Sequence, residues 1–179
     1  SNVTTMYQMF YDASTFNQDL NSWDVSGVLT MQAMFRAAAS ANSFNGNITS
    51  WTPSSCTTMR DMFAGTNQTI TNAFNQDIGS WDVSNVNTLQ NMFYYNPTFN
   101  QNLNSWDVAK VTRMDNMFAN PVGGGAFNGN IASWNVGLVT KMGGMFENTP
   151  FNQNISGWIP SNVDDMYGMF KNATSFDQN

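Results

Sequence analysis

Six tryptophans, Trp23, Trp51, Trp81, Trp106, Trp134 and Trp158, each lie seven residues after a phenylalanine and eleven residues before a Met-Phe pair. The phenylalanines are Phe16, Phe44, Phe74, Phe99, Phe127 and Phe151; the pairs begin at Met34, Met62, Met92, Met117, Met145 and Met169. A fixed internal grid repeated every 24–30 residues restricts the chain to a stack of small units. Each unit buries its apolar side against its neighbours rather than in one globular centre.

With each tryptophan numbered zero, the other slots fall into place. Position −6 is Asn in every copy: Asn17, Asn45, Asn75, Asn100, Asn128 and Asn152. Position −3 is Leu20, Ile48, Ile78, Leu103, Ile131 or Ile155, and position +5 is Val except for Cys56. Position +8 is Met, or Leu89 in one copy. Identical large apolar residues at stacked positions predict a continuous core that includes all six tryptophans. The repeated Asn predicts a ladder of amides bonding the backbone of neighbouring coils.

The spacing also predicts local structure. Apolar residues at −3, zero and +2 suit a short strand, and those at +5, +8, +11 and +12 suit a short helix or 3-10 turn. Ser26, Ser54, Ser84 and Ser161 at +3 are suited to cap that helix. The expected fold is therefore a leucine-rich-repeat-like solenoid, with one short parallel strand and one short helix or 3-10 turn in each coil of 24–30 residues. Residues 1–179 read as a single solenoid segment of six full repeats with partial repeats at both ends. Neither end has a capping unit, so a segment of a longer surface protein is expected.

Only the connection between the Met-Phe pair and the next Phe-Asn varies in length. It holds 5, 8, 10, 5, 8, 4 and 5 residues (11–15, 36–43, 64–73, 94–98, 119–126, 147–150 and 171–175). Insertions confined to one place project from one edge, which is either a binding edge or the product of neutral loop drift.

The motif FNQDIGSWDVSNVNTLQNMF at 74–93, with its close copy at 16–35, resembles the 26-residue repeat of bacterial surface proteins. That family occurs in mycoplasma-type lipoproteins and cell-wall-anchored proteins and is related to BspA-like leucine-rich repeats. The resemblance covers essentially the whole chain and implies surface display and adhesion, with no catalytic residues. Thr52-Pro53 and Ile159-Pro160 depart from the family's Asp-Val.

Chemistry is sparse. There is no His, which removes His-based triads and His-ligated zinc. Cys56 is the single cysteine and fits a small buried hydrophobe. Asp19 and Asp77 at −4, with Asp24 and Asp82 at +1, suit turn caps better than the converging oxygens that calcium needs. No enzyme activity, cofactor or metal is expected. The net charge is −6 and six basic residues are spread along the sequence, which disfavours nucleic acid and anionic membranes. No apolar run is long enough for membrane insertion. With 10% charged residues and much Asn, Ser and Thr, the composition suits an extracellular or cell-surface location. Asn2, Asn47, Asn67, Asn154 and Asn172 lie in glycosylation sequons.

The aromatic residues outside the grid are Tyr7, Tyr11, Tyr94, Tyr95 and Tyr167. Tyrosine contacts proteins and sugars well, so these five mark the expected partner surface, together with the 64–73 and 119–126 loops. Two functions stand: an adhesion or protein- or glycan-binding module, and a spacer or filament segment that self-associates end to end.

Overall fold

The computed structural model describes residues 2–178. Successive repeats lie one upon the next as layers, all running in the same direction. Two phenylalanine columns mark the stacking. The rings at +12 (Phe10, Phe35, Phe63, Phe93, Phe118, Phe146, Phe170) follow one another at 5.3–6.0 Å. Each also lies 3.5–4.1 Å from the ring at the next −7 position, for example Phe118 against Phe127 and Phe170 against Phe176. Three tryptophan pairs, Trp51–Trp81, Trp106–Trp134 and Trp134–Trp158, stack at 5.9–6.3 Å. Trp51, Trp81, Trp106 and Trp134 are buried, whereas Trp23 and Trp158 are half-buried. With the aliphatic −3, +2, +5 and +8 residues these columns form one core running the length of the stack. Each buried phenylalanine contributes about 1.5–3 kcal/mol of transfer free energy.

The strand and helix expected in each coil are not there. Among the described residues there is no helix and no strand longer than an isolated bridge, so the leucine-rich-repeat-like assignment is overturned. Six of the seven parallel bridges fall at +7, inside the stretch read as helical, and join Thr5, Thr30, Thr58, Thr88, Arg113, Lys141 and Asp165 in sequence; the seventh joins Asn42 and Asn72 in the long connections. The supposed strand from −3 to +2 instead contains a tight turn, closed by the tryptophan N–H on the −3 carbonyl (Trp81 to Ile78, 3.1 Å).

Two local causes account for this. First, position +10 is left-handed in every layer. Gln8, Ala33, Asp61, Asn91 and Asn116 have φ between 53° and 57°, and Gly144 and Gly168 have 65° and 63°. A left-handed residue ends any helix that spacing alone would permit, so +5 to +12 becomes two turns around a kink. The apolar spacing of three survives because a tight turn also advances three residues. Second, the Asn or Asp at −4 accepts the N–H of −2 in all six copies, from Asn21 on Asp19 (2.7 Å) to Ser156 on Asn154 (2.8 Å). This Asx turn bends the chain where a strand would need to be straight.

The serines expected as helix caps have a different role. Ser26 and Ser84 donate both N–H and hydroxyl to Asp24 and Asp82 at +1. In the two proline-bearing copies, Ser54 and Ser161 donate their N–H to the carbonyls of Thr52 and Ile159.

Layers are joined differently on their two sides. From +6 to +14 the joints are main chain: the N–H groups at +8, +10, +12 and +14 donate to the carbonyls at +7, +9, +11 and +13 of the following layer. Leu89 to Arg113 (2.9 Å), Asn91 to Asp115 (3.0 Å), Phe93 to Met117 (2.9 Å) and Tyr95 to Ala119 (3.0 Å) form one such set. From −7 to zero the joints are mostly side chain. Each −6 Asn Oδ1 accepts the N–H of the −6 residue in the next layer, from Asn45 on Asn17 (2.7 Å) to Asp177 on Asn152 (2.9 Å). From Trp51 onward each indole Nε1 donates to the −3 carbonyl of the layer before, for example Trp106 to Ile78 (2.9 Å).

Connection length is set at +14. Asp12, Tyr95, Asn148 and Asn172 have φ of 50–57° there and open the connections of 5, 5, 4 and 5 residues. Ala37, Gly65 and Asn120 lack positive φ at the same position and open the connections of 8, 10 and 8. A left-handed residue turns the chain straight back toward the next Phe-Asn; without it the chain runs outward first.

Candidate functional site

One side of the stack carries nearly all the chemical variety. Positions +7, +9 and +13 flank the left-handed residue, and their main-chain groups are engaged between layers while their side chains, apart from the buried Ala64 and Ala119, lie at or near the surface. Sequence order scatters the six basic residues, but five of them, Arg36, Arg60, Arg113, Lys141 and Lys171, occupy these three positions. Tyr7 and Tyr167 are at +9, Tyr11 and Tyr94 at +13, and Tyr95 beside them at +14. The acids divide evenly. Asp12, Asp61, Asp115, Glu147, Asp164 and Asp165 are on this side, while Asp19, Asp24, Asp77, Asp82, Asp107 and Asp177 belong to the −6 to +1 half. The signal was present in the sequence as the shared repeat positions of residues that look dispersed in a linear reading.

Ion pairs bind the face together. Asp61, its side chain 5% exposed, receives Arg60 at 3.1 Å and Arg36 at 3.5 Å, and accepts the Asn91 amide at 3.0 Å. Arg113 makes a two-toothed pair with Asp115 (2.9 and 3.0 Å), which also accepts Gln90 at 2.7 Å. Lys171 meets Glu147 at 2.6 Å and Lys141 meets Asp164 at 2.8 Å. The hydrogen bond to Asp115 raises the Arg113 pKa, and that to Glu147 raises the Lys171 pKa. The exposed Lys141–Asp164 pair orders its side chains more than it stabilises the fold. Two atoms in this network, Arg36 Nε and Asn91 Oδ1, are buried without a hydrogen bond.

Where +9 and +10 are glycine the face sinks. Gly143, Gly144 and Gly168 line a shallow trough of about 270 Å³, rimmed by Asp115, Glu147, Asp165 and Tyr167. A Cβ on Gly144 would lie 2.3 Å from Asn116 Oδ1, so the floor depends on the missing side chain.

The tyrosines differ in accessibility. Tyr7 is 52%, Tyr11 37% and Tyr167 88% exposed, but Tyr95 is only 8% exposed. Tyr95 therefore leaves the contact surface expected of it. Its ring packs edge-on against Tyr94 at 4.5 Å, because its left-handed backbone turns it under the short connection. Burial, reinforced by Tyr95, pushes the Tyr94 hydroxyl up to about 12. The 64–73 and 119–126 loops leave the stack on either side of this pair in sequence; Gly65 donates its N–H to the Tyr94 carbonyl at 2.6 Å.

The other half of the repeat is occupied structurally. The Asn ladder and the tryptophans bond backbone, as described above. The −4 and +1 carboxylates are engaged as turn caps, and the Ser84 hydroxyl holds the Asp82 carboxyl below its ordinary value. Among the described residues, no group of three or more His, Cys, Asp or Glu could hold a metal ion. Cys56 is fully buried, and burial pushes its thiol up to about 11. Among the described residues, no helix is long and apolar enough to cross a membrane.

No curated protein and no solved structure matches the chain. The family model described as "Mycoplasma protein of unknown function, DUF285" matches residues 1–73, 44–123 and 122–179. These three overlapping matches span the stack from its first layer to its last, and the chain belongs to this mycoplasma-type repeat family.

Proposed function

We propose that the chain is a display module at the cell surface or outside the cell. Its +7/+9/+13 face makes adhesive contacts with a protein or glycan partner. The observation that carries this reading is the division of labour within each layer. The −7 to zero half is fixed by its structural bonds, whereas five of the six basic residues and all four tyrosines at +9 or +13 collect where side chains are free to differ. A near-balanced, tyrosine-bearing polar face suits several weak contacts made together along a stack, which gain strength through multivalency. The resemblance to BspA-like repeats of bacterial surface proteins supports the same location and role.

The test is binding of the intact chain to arrayed glycans and immobilised matrix proteins, followed by substitution on each side of the stack. Replacing Tyr94 and Tyr167 with Ser should weaken binding at least tenfold. Replacing Asp19 and Asp77 with Asn, the residue found in the other four copies, should leave binding unchanged. The reverse pattern would overturn the assignment of the face.

A further inference from the structure

The glycine-floored trough differs from the rest of its face in having hydrogen-bonding groups left over. In most layers the +7 side chain accepts the +9 N–H, as Thr30 does from Gln32 (3.2 Å), Thr88 from Gln90 (3.3 Å) and Asp165 from Tyr167 (3.0 Å). Arg113 and Lys141 offer no acceptor at +7. The N–H groups of Asp115 and Gly143 therefore have no partner among the described residues, and both residues line the trough. The Asn116 side chain also makes no hydrogen bond among the described residues. Its Oδ1 lies 2.3 Å from where a Gly144 Cβ would be, so it is open to the trough because that side chain is missing. These three residues belong to the layers of Trp106 and Trp134, inside the stack.

Charge on the rim is largely answered. Arg113 pairs with Asp115 and Lys171 with Glu147. Asp165 spends Oδ1 on the Tyr167 N–H and keeps Oδ2 as a bare acceptor. The trough thus presents backbone donors, an amide and a carboxylate oxygen together, without a strong field of either sign. Tyr167 adds an aromatic ring to the rim.

We infer that this trough takes a single neutral sugar ring, a hexose or N-acetylhexosamine unit of a glycan. It is one part of the adhesive face proposed above, and the assignment rests on that reading. Three features select this occupant. Sugar hydroxyls donate and accept at once, which matches free N–H groups beside free oxygens; an ion would satisfy only one of the two sets. Paired carboxylates and cations give little attraction to a charged ligand. Ligand pockets run from about 300 Å³ upward, so a hollow of about 270 Å³ suits one ring rather than an extended chain, with its C–H face against the tyrosine.

Two-dimensional NMR of the intact chain, titrated with free glucose, galactose, mannose, N-acetylglucosamine and N-acetylgalactosamine, tests this. At least one of these sugars should move the Gly143 amide resonance along a saturating curve. Two variants should weaken that response by about fivefold or more while keeping the native thermal transition. Lys141→Thr restores the +7 acceptor present as Thr5, Thr30, Thr58 and Thr88 and ties up the Gly143 N–H. Gly143→Gln fills the trough with the side chain that +9 carries at Gln32 and Gln90, at a residue whose φ is not left-handed. Asp19→Asn, on the opposite half, should leave the titration unchanged. No saturable response to any of these sugars, or a native response in both variants, would overturn the assignment. So would a response to methylammonium or N-acetylneuraminate alone, which would make the trough an ion site. Failure here is separable from failure of the face: partner binding that still depends on Tyr94 and Tyr167 would keep the face and sink only the sugar site.

Discussion

The two halves of each layer solve the same problem by different means. Between −7 and zero, stacking runs mainly through side chains: an Asn side-chain oxygen, an indole N–H and the −7 phenylalanine and tryptophan rings. Between +6 and +14 it runs through the main chain. The first solution restricts residue identity, because only Asn or Asp offers that acceptor oxygen at that reach and only Trp that donor. The second leaves identity open wherever the side chain faces outward. Thr, Arg, Lys and Asp therefore share +7, while Tyr, Gln, Arg, Asp and Gly share +9. A sequence that looks monotonous on one side and irregular on the other reflects these two joints.

Substitution within the side-chain half offers the sharpest test of this contrast. Trp81→Ala removes a 2% exposed ring, its stacking on Trp51 and its bond to the Ile48 carbonyl. It should cost about 3–5 kcal/mol in urea unfolding. Trp23→Ala, at a half-buried site, should cost clearly less; equal losses would mean the layers do not share a continuous core. Next, Asn75→Ala leaves the Asn100 N–H without its acceptor and should cost about 0.5–1.5 kcal/mol. Gln90→Ala on the main-chain side loses only the contact with Asp115 and should stay within about 0.5 kcal/mol. If the two cost the same, the contrast fails.

The left-handed kink gives a smaller effect of opposite sign. Ala33 has φ 53°, so Ala33→Gly should relieve strain and raise stability by about 1 kcal/mol. A loss of stability would show that packing, not backbone strain, dominates there. The caps at +1 predict the response to acid. Bonds from Ser26 and Ser84 hold the Asp24 and Asp82 carboxyls below the ordinary 3.8. A lowered folded pKa stabilises the fold above the unfolded value, and that contribution fades as pH falls through the folded one. The melting temperature should therefore hold steady between pH 7 and about 4 and drop below it, with Asp82→Asn reducing the drop. Finally, the Cys56 thiol, raised by burial to about 11, should not react with a disulfide reagent at pH 8 until denaturant opens the core. Prompt labelling would mean that its layer opens on its own.

Much of the grid was legible because large apolar residues at recurring positions have few alternatives to a shared core. The elements within each layer were not, since the +5, +8, +11 spacing is common to a helix and to consecutive tight turns. What distinguishes them is +10, where Asp61, Asn91, Asn116, Gly144 and Gly168 are the residue types that tolerate a left-handed backbone. The Asn or Asp at −4 in all six copies likewise signalled a bend rather than a strand. The candidate face was harder to read. Its members share repeat positions but not residue types, and the burial of Tyr95 follows from a backbone angle that tyrosine seldom adopts.

The orientation of the joints also bears on how the chain responds to force. Bonds between layers point along the stack, so tension applied between the first and last layers loads them end-on and one joint at a time. Such a chain should peel under modest force, each layer paying out 24–30 residues at roughly 3.3 Å apiece, while the layers behind it stay closed. It would behave as an extensible tether that lengthens in steps, and its remaining layers would keep their surface intact as it yields.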